Sequence, residues 1–141
     1  MSPSHRLHPY TVGLVAVGGA IGASARYGLT VWFPDAGSGF PWTTFTINVA
    51  GSLLLAVLPA LTVVRRNPHL PPFLGTGILG GFTTLSAYSE QARNLVATGS
   101  VALAGIYVIG TLLACLGAVA LADRLSNAPA RDEFDAEEGD L

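Results

Sequence analysis

Long apolar runs set the rhythm of this chain. Residues 11–32 contain one charge, Arg26; residues 43–64 hold Asn48 as their one strongly polar group; residues 95–122 carry no charge at all. A helix needs about 20 mostly apolar residues to cross the hydrocarbon core of a bilayer, so each run predicts a transmembrane helix. A fourth candidate, Pro71 to Ala92, opens apolar (PPFLGTGILGGF) and then turns rich in hydroxyls. The predicted connections are short: FPDAGSGFP from Phe33, RRNPHLPP from Arg65, and a third near Arg93 and Asn94. The pattern predicts an all-α membrane protein with four transmembrane helices. Residues 1–9 form an N-terminal tail and 10–125 the four-helix unit; the acidic, apolar-poor segment 126–141 is expected to be disordered.

Composition agrees with that picture. Of 141 residues, 50% are hydrophobic and 11% charged, against about 25% charged in an ordinary soluble domain. All seven basic residues are Arg, and a net charge of −2 offers nothing to a nucleic acid. The single cysteine, Cys115, excludes an internal disulfide and a cysteine-based metal cluster. His5, His8 and His69 lie in the tail or a loop, without a paired acid or metal-ligand spacing, so an enzyme is not expected. Arg6 followed by an apolar run and Ala23-Ser24-Ala25 has the outline of a signal peptide. The spans that follow, and Arg26 as an odd mature start, favour a membrane helix.

Four spans put both termini and the middle loop on one side. That side carries Arg6, Arg65, Arg66, Arg124 and Arg131, and the other only Arg93. Excess positive charge marks cytoplasmic loops, which predicts that both termini are cytoplasmic.

Polar groups inside the spans carry the chemistry. Arg26 admits two readings: a guanidinium snorkelling to the interface, or a fixed charge that locks helices or faces an anion path. Thr44, Asn48 and Ser52 recur at four-residue spacing, as do Tyr107, Thr111 and Cys115, so each set shares one helix face. One such stripe is ordinary helix glue. Two stripes of N–H and O–H donors without a carboxylate suit an anion. Gly18/Gly22, Gly19/Ala23, Gly77/Gly81 and Ala114/Ala118 permit close helix contact.

The stretch GGFTTLSAYSEQ (Gly80 to Gln91) predicts a helix break, by two glycines followed by two β-branched threonines. Irregular backbone at membrane depth persists only where protein buries it or a cavity wets it, and carbonyls freed by a break can hold a bare cation. A kinked helix with threonines bonded back to their own backbone is the alternative.

Three motifs in order, GGAIGASARY (Gly18 to Tyr27), TTFTINVAGS (Thr43 to Ser52) and GILGGFTTLSAYS (Gly77 to Ser89), make residues 10–122 resemble the Fluc (CrcB) family of fluoride channels. The resemblance implies an antiparallel dimer in the bacterial plasma membrane, with the third helix broken at its centre. It also implies a structural, untransported sodium ion on backbone carbonyls of both subunits, here Gly80 and Thr83. The family's fluoride-path residues fall on Asn48, Tyr107 and Thr111, and its two Phe positions on Leu85 and Tyr88. Leu85 lacks the electropositive ring edge, and Gln91 stands where an acid is usual, with Glu90 beside it. These departures, with the arginine bias, point to a heterodimer with an oppositely inserted paralogue.

The implied function is passive export of fluoride from the cytoplasm. One alternative is a small four-span drug or cation exporter, whose proton coupling needs a membrane-embedded carboxylate. The other is a non-conducting assembly subunit.

Overall fold

The computed structural model describes residues 9–35, 37 and 39–138, with side chains to residue 126. His5, Arg6, His8 and nearly all of the N-terminal tail lie outside the described residues, as do the last three positions. Among the described residues the regular structure is entirely helical.

Helix α1 (Pro9–Trp32) has 24 residues, about 36 Å at the α-helical rise and enough to cross a membrane. It stops before Phe33-Pro34, where the proline ring disfavours helical geometry in the residue before it. The loop folds back so that the Asp35 carboxylate accepts from the Thr43 N–H at 2.8 Å, near the start of α2 (Trp42–Val57). Pro59 tightens the end of α2 into a 3₁₀ turn over Leu58–Ala60. A short α3 (Thr62–Arg66) follows, and Asn67 Oδ1 accepts from the His69 N–H at 3.0 Å to turn the chain.

Pro71–Leu79 winds as a π-helix of nine residues and passes into α4 (Gly80–Phe82). Helix α5 (Leu85–Ala97) has 13 residues and is amphipathic, with Leu95 buried and Arg93 and Asn94 exposed. Gly99, at φ 81°, turns the chain into α6 (Val101–Glu138).

Among the described residues three helices are long and apolar enough to cross a membrane: Pro9–Trp32, Trp42–Ala60 and Val101–Ser126. The fourth segment expected from sequence is divided between the π/α4 piece and α5. The third connection also differs from expectation. It falls at Thr98–Ser100, because Arg93 and Asn94 occupy the polar face of a helix and Gly99 supplies the left-handed turn. Helix α6 continues to Glu138, through most of the segment expected to be disordered.

Helix α1 lies against the π-helix and α4, while α6 packs on α2 and α5. The first contact is backbone on backbone. A Cβ on Gly18 would stand 2.5 Å from Phe73 O and 3.0 Å from Gly77 Cα, and one on Gly22 would run into the Ile78 carbonyl. The second contact holds the core of Leu95, Ala104 and Tyr107, flanked by Phe40, Phe45 and Tyr88. Much of the outer surface is apolar, including Val17, Ile21, Leu113 and Leu116.

Candidate functional site

Helical winding stops at Phe82. Thr83 (φ −76°, ψ 158°) and Thr84 (φ −149°, ψ 120°) are extended, and helix resumes at Leu85. In an unbroken α-helix the Thr84 N–H would close on Gly80 O, and the Ala87 N–H on Thr83 O. Here the Thr84 N–H donates to Asn48 Oδ1 at 2.9 Å, and the Ala87 N–H donates to Thr84 Oγ1 at 3.1 Å. The carbonyls of Gly80 and Thr83 therefore lack their α-helical amides.

Asn48 closes a second bond, from Nδ2 to Thr84 O at 3.0 Å. Its amide thus clamps both polar groups of one extended residue, as the β-sheet partner of Thr84 would. The Thr83 N–H and hydroxyl both donate to Leu79 O, at 3.0 and 2.9 Å, which closes the preceding helical turn. Arg26 Nε donates to Gly81 O at 3.2 Å and ties α1 to the residues before the break.

A groove of about 300 Å³ lies over this break, lined by Asn48, Thr83, Leu85, Tyr88 and Thr111 among others. Tyr107 stands behind it, fully buried, with its ring 5.1 Å from that of Tyr88. Gly80 and Arg26 are not part of the lining. From the two polar stripes, Asn48, Ser52, Thr111 and Cys115 reach the groove, whereas Thr44 and Tyr107 are core.

The donors are distributed unevenly. The Thr111 hydroxyl donates to Tyr107 O at 2.6 Å, that of Tyr107 to Gln91 Oε1 at 2.8 Å, and that of Tyr88 to Val108 O at 2.8 Å. Each of these protons is committed to a protein acceptor. A primary amide carries two N–H groups, so Asn48 retains one beyond its bond to Thr84. Leu85 is 76% exposed, an apolar side chain at the edge of the groove.

Asp35 was not singled out by the sequence. Its Oδ2 accepts from Gln91 Nε2 at 3.2 Å, so a loop carboxylate joins the same hydrogen-bond chain as Tyr107. The available signal was its position: a lone acid in a turn-rich loop, shortly before a helix whose first N–H groups need acceptors.

Residues 13–122 match the family model described as CrcB-like protein, Camphor Resistance (CrcB). The chain is 44% identical over 113 residues to the fluoride-specific ion channel FluC 1 of Streptomyces coelicolor, covering 79% of this chain and 73% of that protein. It is 45% identical over 105 residues to the fluoride-specific ion channel FluC of Paracoccus denitrificans, covering 74% and 85%. Identity to the FluC of Agrobacterium fabrum is 41% over 111 residues, covering 77% and 89%. With a family match across its helical body, and relatives at this identity over most of both lengths, this membrane protein belongs to the CrcB family.

Proposed function

We propose that this chain is a subunit of a fluoride-specific channel that lowers cytoplasmic fluoride by passive export. The observation that carries the reading is the Asn48 clamp on the Thr83–Thr84 break beneath a groove whose lining mixes neutral polar side chains with leucines and holds no charged one. Fluoride enters a cell as neutral HF from an acid medium, ionises inside and is trapped, so an open anion path drains it down its gradient. Such a path needs donors that replace water and no carboxylate in the way. The second N–H of Asn48 and the ring edge of Tyr88 meet that need; Thr111 and Tyr107 contribute by holding the wall in place.

In this reading the Pro71–Phe82 piece and α5 together make a fourth span, broken at its centre. Two chains pair antiparallel, and the carbonyls of Gly80 and Thr83 hold a structural sodium ion. Backbone oxygens released from their helical amides suit a hard monovalent cation, and none of the nearby groups has to be deprotonated to bind it. The ion neutralises carbonyl dipoles at membrane depth and is not transported. Leu85, exposed at the groove and without a ring, supports pairing with a paralogue that supplies its own aromatic residues. The arginine bias supports fixed insertion with both termini cytoplasmic.

The test is fluoride efflux from liposomes, read with a fluoride electrode, for this chain alone and co-expressed with a paralogue from the same cell. Efflux is expected with the paired protein and is expected to be selective over chloride. Selective transport absent from both preparations would remove the channel reading. Exchanging sodium for N-methylglucamine should lower the melting temperature of the purified assembly. An unchanged melt would remove the sodium site alone. Tags on both termini are expected on the cytoplasmic face only; tags on both faces, with full efflux from the single chain, would replace the heterodimer by a homodimer.

A further inference from the structure

The loop after α1 reaches the buried aromatic core through three side chains. Asp35 Oδ1 accepts from the Thr43 N–H at 2.8 Å, and its Oδ2 accepts from Gln91 Nε2 at 3.2 Å. Gln91 Oε1 in turn accepts from the Tyr107 hydroxyl at 2.8 Å. The Tyr107 ring meets Phe40 edge-on at 5.3 Å and Tyr88 at 5.1 Å, and Tyr88 lines the groove.

The chemistry of these groups fixes the direction of the chain. A carboxylate accepts only, whereas a carboxamide has one accepting end and one donating end. Asp35 therefore compels Gln91 to turn Nε2 toward the loop and Oε1 toward Tyr107. The phenol must then donate to Gln91, and its proton points away from Tyr88. The negative charge of Asp35 sits at the start of α2, where the helix N-terminus favours an anion. That position mutes its repulsion of an anion in the groove.

We propose that Asp35 is a positioning residue for fluoride passage: acting through Gln91, it sets the direction in which the Tyr107 hydroxyl donates and so fixes the Tyr107–Tyr88 pair at the wall of the path. The proposal rests on the reading that the groove beside Tyr88 is the path. Neither Asp35 nor Gln91 touches the groove, so each acts at a distance.

The direction can be tested by moving the acceptor. Asp35→Asn keeps the acceptor for Thr43 but sets an amide against Gln91 Nε2; Gln91 must turn round and meet the phenol proton with its own N–H. Gln91→Glu sets two carboxylates side by side. The double change Asp35→Asn with Gln91→Glu restores every donor and acceptor, with the charge moved one residue along the chain. Efflux is measured in liposomes carrying the assembled channel, alongside the melting temperature of each variant.

Each single change is expected to lower efflux about tenfold, the scale of coupling within one contact network, and the double change is expected to bring it back near the original rate. Asp35→Asn added to Tyr107→Phe is expected to be no worse than Tyr107→Phe alone. Normal efflux in Asp35→Asn, with Tyr107→Phe impaired, would overturn the positioning role and leave the path in place. Normal efflux in Tyr107→Phe would remove both. Additive losses, or a double change no better than the singles, would place the action of Asp35 in the loop itself and overturn the proposal. If Asp35→Asn fails to assemble, the comparison between Gln91→Glu and the double change decides it.

Discussion

Asn48→Asp should abolish fluoride efflux while leaving a chain that still inserts and assembles. The substituted carboxylate keeps an acceptor for the Thr84 N–H, so half of the clamp survives. Its other oxygen faces Thr84 O, where an N–H donated before. An acceptor left without its donor in a part-buried site costs about 1–3 kcal/mol. The larger effect falls on the anion. Two like charges about 4 Å apart repel by about 4 kcal/mol at the dielectric of a protein surface, and the groove then carries a charge of the wrong sign. A loss of about a hundredfold or more follows from these terms together. Efflux from liposomes measures it, with size-exclusion chromatography as the check on assembly. Undiminished efflux from a properly assembled Asn48→Asp protein would falsify the donor-lined path.

Gly22→Ala should act differently, by preventing the fold from closing. A methyl at this position runs into the Ile78 carbonyl and stands 2.9 Å from Phe82 N. Those are backbone atoms, which cannot swing aside as the end of a side chain does. Overpacking inside a close contact costs about 1–3 kcal/mol even where neighbours adjust, and here the whole helix must retreat. The expected result is little assembled protein and a markedly lower melting temperature. Gly13→Ala, where an added Cβ meets no packed neighbour within 4 Å among the described residues, is the matched control on the same helix and should behave as the original. Equal yields and melts for the two variants would show that α1 does not pack as described.

The sequence carried the crossing of α1 well. Gly18, Gly22, Gly77 and Gly81 are spaced for close approach, and small residues announce such contacts without help from anything distant in the chain. Asn48 was legible as the one amide in an apolar run, although its clamp on Thr84 was not, because the partner lies 36 residues away. Tyr107 and Thr111 were read as donors facing a path. The structure instead turns both hydroxyls into the protein, and no local pattern encodes which way a hydroxyl rotates. Asp35 escaped for a related reason, and Gln91 was noted only as a departure from the family pattern: their contact joins residues 56 positions apart, so nothing local announces it. The π-winding of Pro71–Leu79 was likewise invisible. Residue types that favour α-winding also tolerate the wider turn, and the contact with α1 lies outside the segment's own pattern.

Helix α5 has a consequence for how the protein is made. It presents 13 residues, among them Glu90, Gln91, Arg93 and Asn94, and leads through a tight glycine turn into the long apolar α6. Alone it is a poor passenger for the insertion machinery, since each charge near the bilayer centre costs about 2.5–3.5 kcal/mol on insertion scales. Helices α1 and α2, and α6 as far as Ser126, are each long and apolar enough to cross a membrane. In the four-span reading proposed above, the intervening segment would enter after them, drawn in by the surfaces those three present. A nascent chain cut short before α6 would leave α5 at the membrane surface, exposed to proteases and to the quality-control system of the cell.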